Sequence, residues 1–165
     1  MPIARMFAAL LGAAVLLVWT VTAQATSVAP ADAAGHILLT QGGATRDLAI
    51  EEIERLPMVE IEGRASPDEP MTTFQGVLLS DLVRMIGADE ASGLIVRASD
   101  GYSADIPRED WERWPIVVAT RAGQERLTVR RRGPARIIYP IVRYPELDAR
   151  AYIDRSVWLI AEIEW

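Results

Sequence analysis

The stretch VRRRGPARIIYP gathers four guanidinium groups, Arg130, Arg131, Arg132 and Arg136, around the bend Gly133-Pro134. Guanidinium forks grip carboxylate or phosphate oxygens in pairs, and a Gly-Pro bend leaves backbone N–H groups open beside them. Two readings stand: an anion-binding face, or a charged hairpin end that is solvated and paired with the abundant acids. A second stretch, RASDGYSADIP, sets Asp100, Gly101 and Tyr102 at one bend between two strand-like runs. Its local chemistry is that of a turn, with Tyr102 standing at the turn's exit.

Other chemistries lack their residues. The chain has no cysteine, so thiolate nucleophiles and thiolate metal ligands are excluded. Its one histidine, His36, has no His or Cys neighbour to form a metal site and no GxSxG elbow to form a hydrolytic triad. Neither GxGxxG nor GxxxxGK[ST] occurs. All 17 basic residues are arginine, which removes Schiff-base and lysine-base mechanisms. The net charge of -6 argues against a nucleic-acid partner. The neighbouring acids Glu51 and Glu52, and Glu109 and Asp110, read as the solvated sides of short helices. Trp111, Trp114, Trp158 and Trp165 either line a cleft or, as the more ordinary use of aromatics, supply core mass.

The elements that must position these groups follow from periodicity. HILLT, from His36 to Thr40, reads as a strand closed by Gly42 and Gly43. In DLAIEEIERLP, Leu48, Ile50, Ile53 and Leu56 fit one helix ended by Pro57. MVEIEG alternates as a half-buried strand, and residues 64–71, with Pro67 and Pro70 among charges, read as a surface loop. A short strand at Thr72 to Phe74 and a turn at Gly76 precede a helix in VLLSDLVRMIGA, stopped by Gly87. GLIVRAS and YSADIP pair as strands, and REDWERW is a short helix opened by Pro107. Ile116 to Thr120 turns through Gly123 into ERLTV, RIIYP is a buried strand, and YPELDARAYI is a loop with a helical turn. SVWLIAEIEW alternates throughout, so it reads as one long strand. Many strands with few, irregularly placed helices predict an α+β domain with mixed or antiparallel sheets.

The N-terminus has its own character. Arg5, an apolar run from Met6, and Ala23-Gln24-Ala25 follow the order of a secretory signal peptide cleaved after Ala25. A retained membrane anchor is the alternative, and both place the domain outside the cytoplasm. Residues 26–35 read as a flexible leader and residues 36–165 as a single domain, expected in the periplasm.

Taken in order, FQGVLLSDLVRMIGA, LIVRASDGYSADIPRED, IVVATRAGQERLTVRRRGPARIIYP and RSVWLIAEIEW resemble the molybdopterin-binding domain of the sulfite oxidase family, over about Phe74 to Trp165. The resemblance implies a compact α+β fold with mixed sheets. It also implies that Tyr102 holds the place of a tyrosine facing the metal. Pro134, Arg136 and Pro140 match a P-x-R-x-x-x-P strand beside the pterin, and Trp158 matches the aromatic that opens the last strand. Departures accompany the matches. The family's molybdenum-ligating cysteine is missing, and its region here reads EIEGRASPDEPMTTF, with Ser66 and several acids, of which Ser66 or Glu62 would offer a hard oxygen donor in place of the thiolate. The glycine-rich bend after the strand is replaced by IVRYPELDARAYID, Val157 stands where a basic residue is usual, and Gly133 lies one residue closer to Pro134.

The expectation is therefore a non-catalytic exported domain that binds no cofactor, molybdopterin being the one the resemblance would supply. Its ligand face comprises Tyr102, Arg132, Gly133 and Arg136. The expected partner is a small anionic ligand or a periplasmic or membrane protein, with the membrane itself involved only if the N-terminal segment is retained. The alternatives are a molybdopterin-dependent oxidoreductase without cysteine ligation and a purely structural or interaction domain.

Overall fold

The computed structural model describes residues 35–64 and 66–165, so the signal-peptide and anchor readings lie outside the described residues. Strand β1, His36–Gln41, turns through Gly42 and Gly43, both at positive φ (54° and 84°), into the antiparallel β2, Ala44–Ala49. A two-residue turn with both φ values positive matches the right-handed twist of the strands it joins, which is why glycines stand there. The helix expected over Leu48 to Leu56 is a correction. Pairing with β1 takes Leu48 into β2, and only Ile50–Ile53 is helical, as α1. Leu48, Ile50 and Ile53 are all buried, so the apolar residues were core positions shared by two elements.

Strand β3, Met58–Gly63, pairs with β4, Thr72–Leu78, and β4 pairs in turn with β7, Val117–Ala122. Gly76 is therefore not a turn but the middle of a central strand. A Cβ there would come within 2.1 Å of the Val118 carbonyl oxygen and 2.5 Å of the Ala119 Cα. Opposite Gln75 and Gly76 the register shifts, leaving Thr120 as the extra residue of a bulge on β7. Helix α2, Leu79–Ile86, ends as expected at Gly87, in the left-handed region, with the Ala88 N–H donating to the Val83 carbonyl at 2.9 Å.

Strands β5, Gly93–Ala98, and β6, Ser103–Pro107, form the expected antiparallel pair, and α3, Arg108–Arg113, follows directly. After β7, Gly123 turns the chain into the two-residue β8, Glu125–Arg126, and a single 3-10 turn at Val129–Arg131 leads to β9, Arg136–Ile138. A 3-10 turn at Pro145–Leu147 and the short helix α4, Arg150–Ile153, precede β10, Ile160–Glu164.

The last strand is shorter than its alternation predicts. Leu159 sits at φ 52° and the register shifts between Ile160 and Glu162, so Val157, Ile160 and Ile163 are buried at a spacing of three. Val157 and Leu159 are instead tied to the 132–137 segment: Ile137 N–H donates to the Val157 carbonyl, and Leu159 N–H to that of Arg132. This tie carries Trp158 to the side of Arg132.

The strands make two five-stranded sheets. One runs β2-β1-β10-β5-β6, mixed because β1 and β10 are parallel; the other runs β3-β4-β7-β8, with β9 on β7, and is antiparallel. The fold is α+β. Ile37, Leu39 and Ile163 from the first sheet, Val77, Val118 and Ile137 from the second, and Leu82 from α2 share one core. Each such side chain contributes about 2 kcal/mol by leaving water. The alternate residues of the second sheet, Phe74, Val117, Ala119 and Ile138, form a smaller cluster on its other face, and Trp158 packs against it. Arg136, two residues before Ile138, belongs to that second face.

Candidate functional site

Of the sequence-singled residues, Tyr102 is placed by the β5–β6 turn. Gly101 at φ 91° makes the bend, and one Asp100 carboxylate oxygen accepts the Tyr102 N–H at 3.0 Å. The other Asp100 oxygen accepts the Trp158 indole N–H at 3.3 Å. One aspartate thus fixes both aromatics. Tyr102 is 45% exposed, and its hydroxyl donates to the Asp154 carbonyl at 2.5 Å. Partial burial, then the Asp154 charge, pushes the Tyr102 hydroxyl above the usual phenol value.

Arg132 follows the 3-10 turn in the left-handed region, at φ 56°. Its guanidinium lies 4.4 Å from the centre of the Trp158 ring, within cation–π range. Gly133 is required by close approach, because a Cβ would fall 2.5 Å from the Leu127 carbonyl carbon. Its N–H donates to the Thr128 carbonyl at 2.7 Å, and the Gly133-Pro134 peptide is cis. Gly133 therefore shapes the turn, and its N–H is spent internally.

Arg136 is the buried member, its side chain 8% exposed. Its guanidinium donates to the carbonyls of Arg131 and Arg132 and lies 5.5 Å from the centre of the Phe74 ring. Burial pulls its pKa below the usual guanidinium value, partly offset by Glu69.

Glu69 is the residue that the sequence did not single out. One carboxylate oxygen accepts from Arg132 Nη1 at 2.6 Å and the other from Arg136 Nη1 at 3.0 Å. Glu69 stands in the loop after β3, as expected a segment without helix or strand among its described residues. The loop is stapled at Arg64, which donates to both carboxylate oxygens of Asp148, and the Glu69 N–H donates to the Ser66 carbonyl. A cavity of about 340 Å³ is lined by Ser66, Asp68, Tyr102 and Trp158. A second, of about 270 Å³, is lined by Glu69, Phe74, Arg131 and Arg136. Larger cavities, of about 460 Å³ beside Val59 and Ile61 and about 480 Å³ beside Trp165, are lined by none of Tyr102, Arg132, Gly133 and Arg136.

The face thus unites Tyr102, Trp158, Arg132 and Arg136, with Ser66 lining the same cavity as Tyr102 and Trp158. It does not include Trp111 and Trp114, which are buried in the main core, or His36, which is exposed at the start of β1. Arg130, Arg131 and Arg132 are exposed, and Arg131 and Arg132 pair with Glu125 and Glu69, so three of the four arginines fit the solvated, acid-paired reading and Arg136 alone is buried. Among the described residues no group of three or more His, Cys, Asp or Glu side chains is arranged to hold a metal ion.

Asp110 needs correction. It is 5% exposed, not on a solvated face, and accepts from the Tyr139 hydroxyl at 2.7 Å and from Arg155 at 2.9 Å. Burial and the Asp110 hydrogen bond push the Tyr139 hydroxyl far above the phenol range. The available signal was helical spacing: Asp110 lies four residues before Trp114, on the side of α3 that turns inward. Glu51 and Glu52 are exposed as expected, with Glu51 paired to Arg126. Compared with known proteins, the chain matches no protein-family model and no curated protein.

Proposed function

We propose that this chain is an exported, non-catalytic domain of the sulfite-oxidase-type molybdopterin-binding fold, an accessory or sensory module that binds a small anionic ligand on the face around Tyr102, Arg132 and Arg136. The observation that carries the reading is convergence. Residues from three distant segments, Tyr102, Trp158 and the Arg132–Arg136 pair, meet on one face, with one cavity lined by Tyr102 and Trp158 and another lined by Arg136. Aromatic walls with a few polar groups are the usual make-up of a small-molecule site.

The residues do not suit a molybdenum dithiolene centre. No thiol exists in the chain, the polar groups that line the cavity with Tyr102 are the hard oxygens of Ser66, Asp68, Asp154 and Ser156 and the Arg150 cation, and the two guanidinium groups already share Glu69. The family's chemistry is therefore not carried over to this chain, and what the face retains is recognition.

Thermal-shift and calorimetric titration of the purified protein against sulfate, phosphate, small dicarboxylates and pterins tests the reading. A stabilising compound whose effect is lost in Trp158→Ala or Arg132→Ala protein is the expected result. Molybdenum and pterin co-purifying near one per chain would overturn the non-catalytic reading. Absence of any response to the panel, with a protein partner captured by crosslinking, would favour an interaction domain instead.

A further inference from the structure

Arg136 is a nearly buried cation, and a buried cation demands an anion. The fold meets that demand with a side chain from its least regular part. Glu69 lies between Pro67 and Pro70 in a segment without helix or strand, at positions 63 and 67 residues distant in sequence from the two arginines it joins. Its carboxylate is 17% exposed, and the cavity of about 270 Å³ opens at the same carboxylate. The arginines, by contrast, are set from behind. Arg136 is held by two main-chain carbonyls and Arg132 by the Trp158 ring, so their geometry does not depend on Glu69 alone.

We infer that the Arg132–Arg136 pair is an oxyanion site occupied by the protein's own Glu69, and that an external oxyanion binds by displacing this carboxylate, swinging the 66–71 segment away from the face. The inference rests on the ligand-binding reading above and adds its regulation. Two oxygens of a carboxylate, sulfate or phosphate take the places of the two Glu69 oxygens, each accepting from one guanidinium. The rest of the ligand extends into the flanking cavity. Because Glu69 is tethered, it competes at a high effective concentration, and the site responds only to ligands that outcompete it. The displaced segment carries Ser66 and Asp68, which line the Tyr102–Trp158 cavity, so binding at the arginines reshapes that cavity as well.

Titration calorimetry with sodium sulfate at fixed ionic strength tests the displacement in wild-type, Glu69→Ala and Glu54→Ala proteins, the last removing a carboxylate that also bridges two arginines. The expected result is one sulfate per chain bound at least tenfold more tightly by Glu69→Ala than by wild type, with no gain in Glu54→Ala and loss of the gain on adding Arg132→Ala. Glu69→Gln, which keeps the side-chain shape, shows the same direction of change and replaces the alanine variant if that one fails to fold. Equal sulfate affinity in wild type and Glu69→Ala overturns displacement and leaves the ligand-binding reading standing. The same holds if no variant binds sulfate while wild type binds another compound of the panel. No binding of any compound by any variant overturns both.

Discussion

Two glutamates in this protein each bridge two arginines, and their surroundings differ. Glu54 closes α1 at its C-terminal end, and its carboxylate accepts from Arg121 at 2.9 and 3.0 Å and from Arg126 at 3.0 Å, both on the β7–β8 hairpin. Thr120, the extra residue of the β7 bulge, donates its hydroxyl to the same carboxylate at 2.8 Å. Glu69 meets Arg132 and Arg136 with similar distances, but it comes from an irregular loop. Every partner of Glu54 belongs to a hydrogen-bonded strand or hairpin, so moving the carboxylate means moving the sheet. Moving Glu69 disturbs a segment without helix or strand, pinned at its start by Arg64 to Asp148. The same chemistry is a staple in one place and a replaceable counter-ion in the other. What separates them is the rigidity of the supporting backbone, not the ion pair.

A third carboxylate marks the extreme of that scale and carries the largest expected effect. Asp110 is the most buried of the three, and Asp110→Ala leaves Tyr139 and Arg155 without their partner. The expected loss is about 3 kcal/mol, read as a lower urea midpoint with unchanged slope. A loss below that of Glu54→Ala would break the ordering by burial.

Glu54→Ala comes next, at about 2 kcal/mol, with no recovery on adding sulfate. The hydrogen bond from Arg121 first, and that from Thr120, against the opposing effect of burial, hold the Glu54 carboxyl down from 4.5 to about 2. A carboxyl whose folded pKa is depressed stabilises the fold fully above its unfolded value, and the contribution fades as pH falls. Between about pH 4.5 and pH 2, wild type therefore loses stability more steeply than Glu54→Gln, whose own contribution at this position does not titrate. Solvent reaching Arg121 and Arg126 keeps the effect near about 2 kcal/mol rather than the full linkage value. Parallel acid-unfolding curves for the two proteins would remove Glu54 from its stapling role.

Glu69→Ala is expected to cost about 2 kcal/mol, close to Glu54→Ala, because it leaves the nearly buried Arg136 with the carbonyls of Arg131 and Arg132 but without its carboxylate. Added sulfate restores the melting temperature of this variant and leaves that of Glu54→Ala unchanged. Failure of sulfate to restore Glu69→Ala would erase the contrast between staple and counter-ion. The smallest effect belongs to Arg126→Ala, below about 1 kcal/mol by thermal melting, since this arginine is half exposed and Arg121 still holds Glu54.

Legibility in the sequence followed the range of the interactions. The β5–β6 hairpin was readable because GLIVRAS and YSADIP alternate around an Asp-Gly bend, and it places Tyr102 at the turn's exit, one residue before β6 begins. Gly87 was readable as a stop because a left-handed residue closing a helix is a local requirement. Gly76 was misread for the opposite reason. Its need for a bare Cα comes from Val118 and Ala119 on a strand some 40 residues away, and nothing local announces that contact. In the final segment, alternation alone could not reveal the positive φ of Leu159 or the shifted register with β5, both set by packing. Arg132 and Arg136 were singled out from the sequence, but not Glu69, whose loop has no periodicity to read.

The sequence by itself determined the alternating strands, the glycine turns and a chemistry without thiol or lysine amine, resting on arginine, carboxylate, hydroxyl and aromatic groups and a single imidazole. Those follow from backbone sterics, side-chain period and residue type, all of which act within a few residues. Tertiary structure alone decided the charge pairing. With 17 arginines and 23 acids, composition leaves open which carboxylate meets which guanidinium. Coulomb attraction favours any close opposite pair without choosing a sequence separation, so only the folded chain brings Glu54 to a rigid hairpin and Glu69 to an open face.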